Sequence, residues 1–342
     1  MPQPKAVVKG IATHLPERRL TNEQLATEYG DWTAEKIEQK TGIVVRAVAG
    51  PEECASDLGY AAAQRLFESG VCAPADVDFL LFCTQSPDYF LPTTACLLQD
   101  RLGLPRGAGA LDFNLGCSGF VYGLSMAKGL IESGQAKNVL LITSETYSKY
   151  IHPKDRSART IFSDGAAATW ITGCDSNEEL LGPFVYGTDG RGGCNLIVPA
   201  GALRTPHSPA TAREETDESG NVRAKDNLYM NGPEIFNFTL EAVHLAVREL
   251  VAKCGRTIAD VDYVVPHQAN RFMLDHLRRK SKIPAEKFCV NVEHFGNTVS
   301  STIPMALERA MQDGAVGKGA NVMIIGFGVG YSWSAGMMRL AF

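Results

Sequence analysis

The sequence predicts an α/β fold in which one unit of buried strands and covering helices is used twice. Two observations carry this: strings that return at a nearly constant offset, and apolar runs too continuous for half-exposed strands. Ala75-Asp76-Val77-Asp78-Phe79-Leu80-Leu81 returns 184 residues later as Ala259-Asp260-Val261-Asp262-Tyr263-Val264-Val265. Asn138-Val139-Leu140-Leu141-Ile142 returns 183 residues later as Asn321-Val322-Met323-Ile324-Ile325. With the helical patterns that precede them, four elements recur in one order, which argues for duplication.

Along the chain, residues 57–69 and 238–254 have helical spacing and end near Gly70 and Gly255. The runs at 77–83, 138–142, 261–265 and 321–325 lack alternation, as expected of strands buried on both faces. Met126 to Gly134 and Met305 to Gly314 again space their apolar residues helically. Each half then reads strand, helix, strand, helix, strand, and two mixed sheets separated and covered by helices follow. The halves are placed at 1–175 and 176–342. A stretch at 183–232, rich in Gly, Pro, Thr and charge, breaks the correspondence and reads as an insertion or cap.

Lys and Arg number 33 against 38 Asp and Glu, a net charge of −5, with 45% apolar and 21% charged residues. That is ordinary globular composition, and it excludes disordered and collagen-like chains. The mild acidic excess gives no electrostatic basis for binding nucleic acid. No apolar stretch approaches bilayer length, and Met-Pro-Gln-Pro-Lys offers no apolar core for a secretion signal. A cytoplasmic protein free of the membrane is expected. Nine cysteines without a C-x-x-C pair argue against a disulfide framework and a zinc site. Most should be small buried hydrophobes.

Leu111 to Phe120 reads as a strand turning directly into a helix that carries no charge before Lys128. Cys117 falls at the helix N-terminus, where unpaired N–H groups and the dipole favour a thiolate; a small residue packed beneath the helix is the plainer reading. His267, in Tyr263-Val264-Val265-Pro266-His267-Gln268-Ala269-Asn270, lies just past a buried strand. Open α/β sheets bind ligands at such carboxyl ends, although a hydrogen-bonded structural histidine also fits. Asn297, in a Gly-Asn turn before another helix, suits an N-cap. Cys, His and Asn together serve nucleophilic chemistry on several unrelated folds.

Gly326-Phe327-Gly328-Val329-Gly330 follows a buried strand, but a dinucleotide fingerprint requires a following helix and an acidic residue about twenty positions on. Here the next residues read as a turn into a last strand. A loop offering backbone N–H groups as an oxyanion hole fits better. The helix after His267 carries Arg271, Arg278, Arg279, Lys280 and Lys282 against Asp275 alone. It is either a solvated face or a docking surface for an acidic partner.

The blocks Asp112-Phe113-Asn114-Leu115-Gly116-Cys117-Ser118-Gly119-Phe120, His267-Gln268-Ala269-Asn270, Gly296-Asn297-Thr298 and Phe327-Gly328-Val329-Gly330-Tyr331-Ser332-Trp333 resemble the β-ketoacyl-acyl-carrier-protein synthase III family. Thr41-Gly42-Ile43 and Phe162-Ser163-Asp164-Gly165-Ala166 extend the match nearly end to end. The resemblance implies the duplicated thiolase-like fold, with two mixed five-stranded sheets in an αβαβα arrangement, and a homodimer. It implies that Cys117 takes an acyl group from a thioester, after which a malonyl thioester loses carbon dioxide. His267 and Asn297 would then hold the enolate, with the backbone N–H groups of Cys117 and Val329 as the oxyanion hole. Coenzyme A thioesters and acyl carrier protein are the implied substrates and partner, and no metal or redox cofactor is implied. Arg156, Asn270, Leu91 and Phe327 fall at substrate-binding positions, and Arg279 and Lys280 at carrier-protein positions. Arg271 lies one place before another carrier-protein position.

Three departures shape the expectation. Lys36 stands where the family often has a tryptophan stacking on adenine, and Trp32 lies four residues earlier; this argues against a simple acetyl-CoA donor. Leu91 replaces a phenylalanine that limits the acyl pocket across the dimer interface, so a longer or differently shaped acyl group is expected. Val329 replaces a glycine, and its N–H serves only if the local φ suits a β-branched residue. The main alternative is acyl transfer to an alcohol or amine without condensation, against which the retained Asn297 argues. A Cys-His-Asn thioester hydrolase and a non-catalytic partner subunit are further alternatives.

Overall fold

The structure is a computed structural model, in which residues 3–342 are described. Nine strands build its two main sheets: β1 (Lys5–His14), β2 (Phe79–Cys83), β3 (Gly109–Phe113), β4 (Asn138–Glu145), β5 (Gly165–Cys174), β6 (Leu181–Thr188), β7 (Tyr263–Pro266), β8 (Asn321–Gly328) and β9 (Ser332–Arg339). The first sheet has the order β1-β5-β4-β2-β3 and the second β6-β9-β8-β7. The second thus repeats the first four positions, with β7 and β8 parallel as β2 and β4 are. Phe79 pairs with Val139, and Tyr263 pairs with Val322. The repeated aspartates do the same work in both halves. Asp78 accepts from the Asn138 N–H at 2.9 Å and Asp262 from the Asn321 N–H at 2.8 Å. Asp76 and Asp260 each close a 3-10 turn through a backbone N–H three residues back.

Two expectations need correction in detail. A fifth strand in the second sheet is reduced to Phe288, which bridges Val264, and to the Cys289 N–H donating to the Val264 carbonyl at 2.9 Å. The Asn291 N–H is taken by Gln268 Oε1 at 2.8 Å, so the chain turns away instead of extending the ladder. The cap also begins later than residue 183, because Leu181–Thr188 pairs antiparallel with β9. Gly182 and Pro183 read as breakers, but β6 is an edge strand, where a missing N–H is tolerated.

The helix Ala55–Glu68 covers the outer face of the first sheet, and Gly232–Lys253 covers that of the second. Between the sheets lie Gly119–Glu132 and Thr302–Gln312, which completes the αβαβα layering. Phe120, Leu124, Ile303 and Leu307 from these two helices pack against Val8, Leu81, Val139, Val322 and Ile324 from both sheets. Both helices are uncharged through their buried N-terminal turns and carry their charged residues, Lys128 and Glu132 in one and Glu308 and Arg309 in the other, toward their C-terminal ends. Gly119 fits there because a Cβ would stand 2.3 Å from Cys83 Sγ. No helix among the described residues is long and apolar enough to cross a membrane.

Candidate active site

Cys117 follows β3 through a short turn and immediately precedes the Gly119–Glu132 helix, with its side chain buried. The end of β8 passes directly beneath it. A Cβ on Gly328 would stand 3.0 Å from Cys117 Sγ, and one on Gly326 would stand 2.6 Å from Ser118 Cα. The glycines of the Gly326–Gly330 segment therefore bring strand backbone against the thiol, as the sequence pattern requires. A cavity of about 330 Å³ lies beside Cys117 and is lined also by His267 and Asn297, with Phe162, Phe236 and Met273 among its apolar walls. Asn270 and Phe327 line it too.

Backbone contacts place the two polar partners. The His267 N–H donates to the Ile325 carbonyl at 2.7 Å, anchoring it at the end of β8. The Asn297 N–H donates to the Ile161 carbonyl at 3.0 Å, and its own carbonyl accepts from the Ser163 N–H at 2.8 Å. Asn297 Oδ1 accepts from the Val299 N–H at 2.9 Å. That is a local turn rather than a cap on the next helix, and it leaves the Nδ2 hydrogens as the group able to donate into the cavity. Val299 sits at φ 55°, unusual for a β-branched residue and worth about 1–3 kcal/mol of strain. His267 Nδ1 lies 2.6 Å from Thr302 Oγ1, so Nε2 is the remaining ring nitrogen. Phe327 packs edge-on to the imidazole, with centroids 5.2 Å apart.

The electrostatics depart from the thiolate expectation. Burial pushes the Cys117 thiol up and the buried Glu145 adds to this, while its own backbone N–H acts in the opposite direction. Burial lowers the His267 imidazole to about 3, so the ring is neutral. A neutral thiol and a neutral imidazole face a largely apolar cavity. The site can bind an uncharged thioester and supply donors where negative charge develops.

Glu145 is not marked by any sequence motif. It ends β4, is fully buried, and accepts from the Gln85 N–H, Ser86 Oγ and Ser300 Oγ at 3.0–3.1 Å. Burial pushes its carboxyl up to about 8. The available signal is a carboxylate closing an otherwise uncharged buried strand. Thr302 is hidden for a related reason: it belongs to the hydroxyl run Ser300-Ser301-Thr302, which composition alone marks only as polar.

The remaining candidates do not line this cavity. Val329 borders a second cavity of about 980 Å³ with Gln85, Tyr147 and Tyr150, and its φ is not in the left-handed region that would exclude a β-branched residue. Arg156 does not line the Cys117 cavity; it pairs with Asp31 at 2.7 Å and lies over the Tyr29 ring. Tyr29 meets Trp32 edge to face, and Lys36 and Lys40 lie 5.0 and 4.7 Å from the Trp32 ring centre. The aromatic missing at Lys36 in sequence register is thus near Lys36 in space. Leu91 is 81% exposed on a loop with Tyr89 and Phe90. Arg271, Arg279 and Lys280 are exposed on the helix Arg271–Lys280, whose Phe272 and Met273 line the cavity. Arg271 also packs its stem against Gly42.

Residues 111–190 match the family model for 3-oxoacyl-[acyl-carrier-protein] synthase III, and residues 251–340 match the model for the C-terminal part of that family. The chain is 35% identical to the β-ketoacyl-[acyl-carrier-protein] synthase III of Caldanaerobacter subterraneus subsp. tengcongensis, over 98% of this chain and 97% of that one. A crystal structure of a 3-oxoacyl-(acyl-carrier-protein) synthase III superposes with a TM-score of 0.98 at 55% identity, covering 98% of this chain and 100% of that one. The 3-oxoacyl-(acyl-carrier protein) synthase of Burkholderia xenovorans LB400 superposes with a TM-score of 0.90 at 35% identity, covering 99% and 95%.

Proposed function

The chain belongs to the 3-oxoacyl-[acyl-carrier-protein] synthase III family, and we propose that it joins an acyl thioester to a malonyl thioester by decarboxylative Claisen condensation. The observation that carries this reading is that Cys117, His267 and Asn297 share one largely apolar cavity with the Asn297 amide nitrogen unengaged.

Cys117 sulfur forms a bond to the acyl carbon as the donor's carbon–sulfur bond breaks, and the thiol proton leaves with the departing thiol. A malonyl thioester then enters and loses carbon dioxide, its electron pair passing into an enolate. His267 Nε2 and Asn297 Nδ2 hold the enolate oxygen. The carbanion attacks the acyl carbon, and the N–H groups of Cys117 and Val329 receive the tetrahedral oxyanion. The bond to Cys117 breaks, releasing a β-ketoacyl thioester, and the sulfur takes a proton from water. Loss of carbon dioxide drives the sequence, which calls for no metal or redox cofactor.

We place acyl carrier protein on the helix bearing Arg271, Arg279 and Lys280, beside the cavity, where cations suit an acidic partner. Coenzyme A thioesters are further substrates, with Arg156 and the nearby Tyr29 and Trp32 at the nucleotide end. A homodimer would form across the edge strand β3, where Leu111 is exposed; Tyr89, Phe90 and Leu91 are exposed on the loop leading to Thr94 and Ala95, whose N–H groups donate to Asp112 of β3. Leu91 would then bound the partner's acyl pocket. We assign 1–175 and 176–342 as the duplicated halves, and the cytoplasm, with its carrier-protein substrates, as the setting.

The test is incubation with a panel of acyl thioesters and malonyl carrier protein. Carbon dioxide and a β-keto product in equal amounts are expected. Acyl transfer to a small alcohol or amine without carbon dioxide would replace condensation by simple acyl transfer, and release of free acid alone would indicate hydrolysis.

A further inference from the structure

We propose that Thr302 is a positioning residue that places the His267 proton on Nε2 for condensation, by turning its hydroxyl hydrogen toward Nδ1. The proposal rests on the condensation reading above. Thr302 is fully buried at the start of the helix Thr302–Gln312, with Oγ1 2.6 Å from His267 Nδ1 and 3.1 Å from the Val299 carbonyl. One hydroxyl hydrogen serves one of these two acceptors at a time.

Turned toward Val299, the hydroxyl offers lone pairs to an Nδ1–H, and Nε2 is then a bare acceptor. Turned toward Nδ1, it stabilises the other tautomer, in which Nε2 carries the hydrogen. Burial keeps the imidazole neutral, so these two tautomers are the available states. An enolate oxygen requires a donor, and a lone pair on Nε2 would repel it. The Val299 carbonyl is itself within hydrogen-bonding reach of the ring, and acting alone it would fix the wrong tautomer, which is the competition the Thr302 hydroxyl has to win. Phe327, on another side of the ring, supplies no hydrogen-bonding group. The exchange balances through water in the interval between departure of the first thiol and arrival of the malonyl thioester: Nδ1 loses one proton and Nε2 gains one.

The neighbouring hydroxyls have other duties. Ser300 Oγ donates to Glu145, and Ser301 Oγ donates to the Thr143 carbonyl, each at 3.0 Å. Thr302 is the member of the run that reaches the histidine.

The experiment separates the two half-reactions in wild type, Thr302→Val and Thr302→Ser. Acylation is followed by intact mass, and carbon dioxide release is followed after malonyl carrier protein is added to the acyl-enzyme. Thr302→Val should acylate within about threefold of wild type yet release carbon dioxide roughly 100-fold more slowly, the scale of a lost positioned proton. Thr302→Ser should restore release. Thr302→Ala repeats the test without a hydroxyl should valine prevent folding. Equal slowing of both steps, or normal carbon dioxide release without the hydroxyl, overturns the proposal. A wild-type enzyme that acylates without releasing carbon dioxide would instead overturn the condensation reading. Ring ¹⁵N shifts of His267 in the wild-type acyl-enzyme need no variant: an Nε2–H form is expected, and a fixed Nδ1–H form contradicts it.

Discussion

Cys117 owes its reactivity to what surrounds it more than to its place at a helix N-terminus. Burial holds the thiol protonated, and Glu145 adds to this once its own carboxyl ionises above about pH 8, so the nucleophilic form must be drawn out when a thioester fills the cavity. Glu145→Gln should raise the rate at which iodoacetamide alkylates Cys117 at a fixed pH above about 8, where the carboxyl is ionised, read by intact mass; an unchanged rate there would remove Glu145 from the thiol's environment. Cys117→Ala should abolish the acyl adduct. Asn297→Ala should leave acylation intact and slow carbon dioxide release by about 10²–10³-fold, the cost of one oxyanion donor. Loss of both activities together would assign Asn297 a structural role. At this scale the sequence discloses Cys117, His267 and Asn297 because their neighbours form distinctive strings. It conceals Glu145 and Thr302, whose roles exist only once strands and turns from distant positions converge.

The element that most constrains the site is the end of β8. Its glycines admit the backbone of Cys117 and Ser118 at distances no side chain allows. Gly326→Ala would set a methyl carbon 2.6 Å from Ser118 Cα, backbone that cannot step aside. We expect a destabilisation of about 1–3 kcal/mol or failure to fold, measured by denaturant unfolding. Tolerance of alanine there would mean that the helix and strand stand further apart. The buried strands are legible because short apolar runs without alternation, bounded by turn residues, suit strands covered on both faces, and the internal repeat orders them. The fifth strand of the second sheet is not legible as a bridge: Gln268, far away in sequence, takes the Asn291 N–H that a ladder would have used. β6 is hidden because Gly182 and Pro183 look like loop until an edge position accommodates them.

At the scale of the whole molecule, two consequences are measurable. Glu145 has a folded-state pKa raised to about 8 from 4.5, so the fold binds its proton more tightly than the unfolded chain does. The stability this contributes is present below pH 4.5 and is lost as pH rises through about 8. Glu145→Gln should therefore weaken the fall in thermal midpoint between about pH 4.5 and 8, the interval in which only the fold holds the proton, and an identical pH profile would argue against a buried, proton-binding carboxyl. The exposed Tyr89, Phe90, Leu91 and Leu111 should be covered in a dimer, so Phe90→Asp should shift the protein toward monomer in sedimentation; a monomeric wild type would contradict that arrangement. Duplication and layering are readable from the sequence, whereas pairing between molecules is not, because it depends on which apolar residues remain uncovered after folding. The most direct measurement is peptide-mapped mass spectrometry through one turnover. An acyl mass on Cys117 is predicted after the donor thioester is added. That mass should disappear on adding malonyl carrier protein, with one carbon dioxide released for each adduct consumed. An adduct on another residue, or its loss without carbon dioxide, would contradict a condensation that runs through the Cys117 thioester.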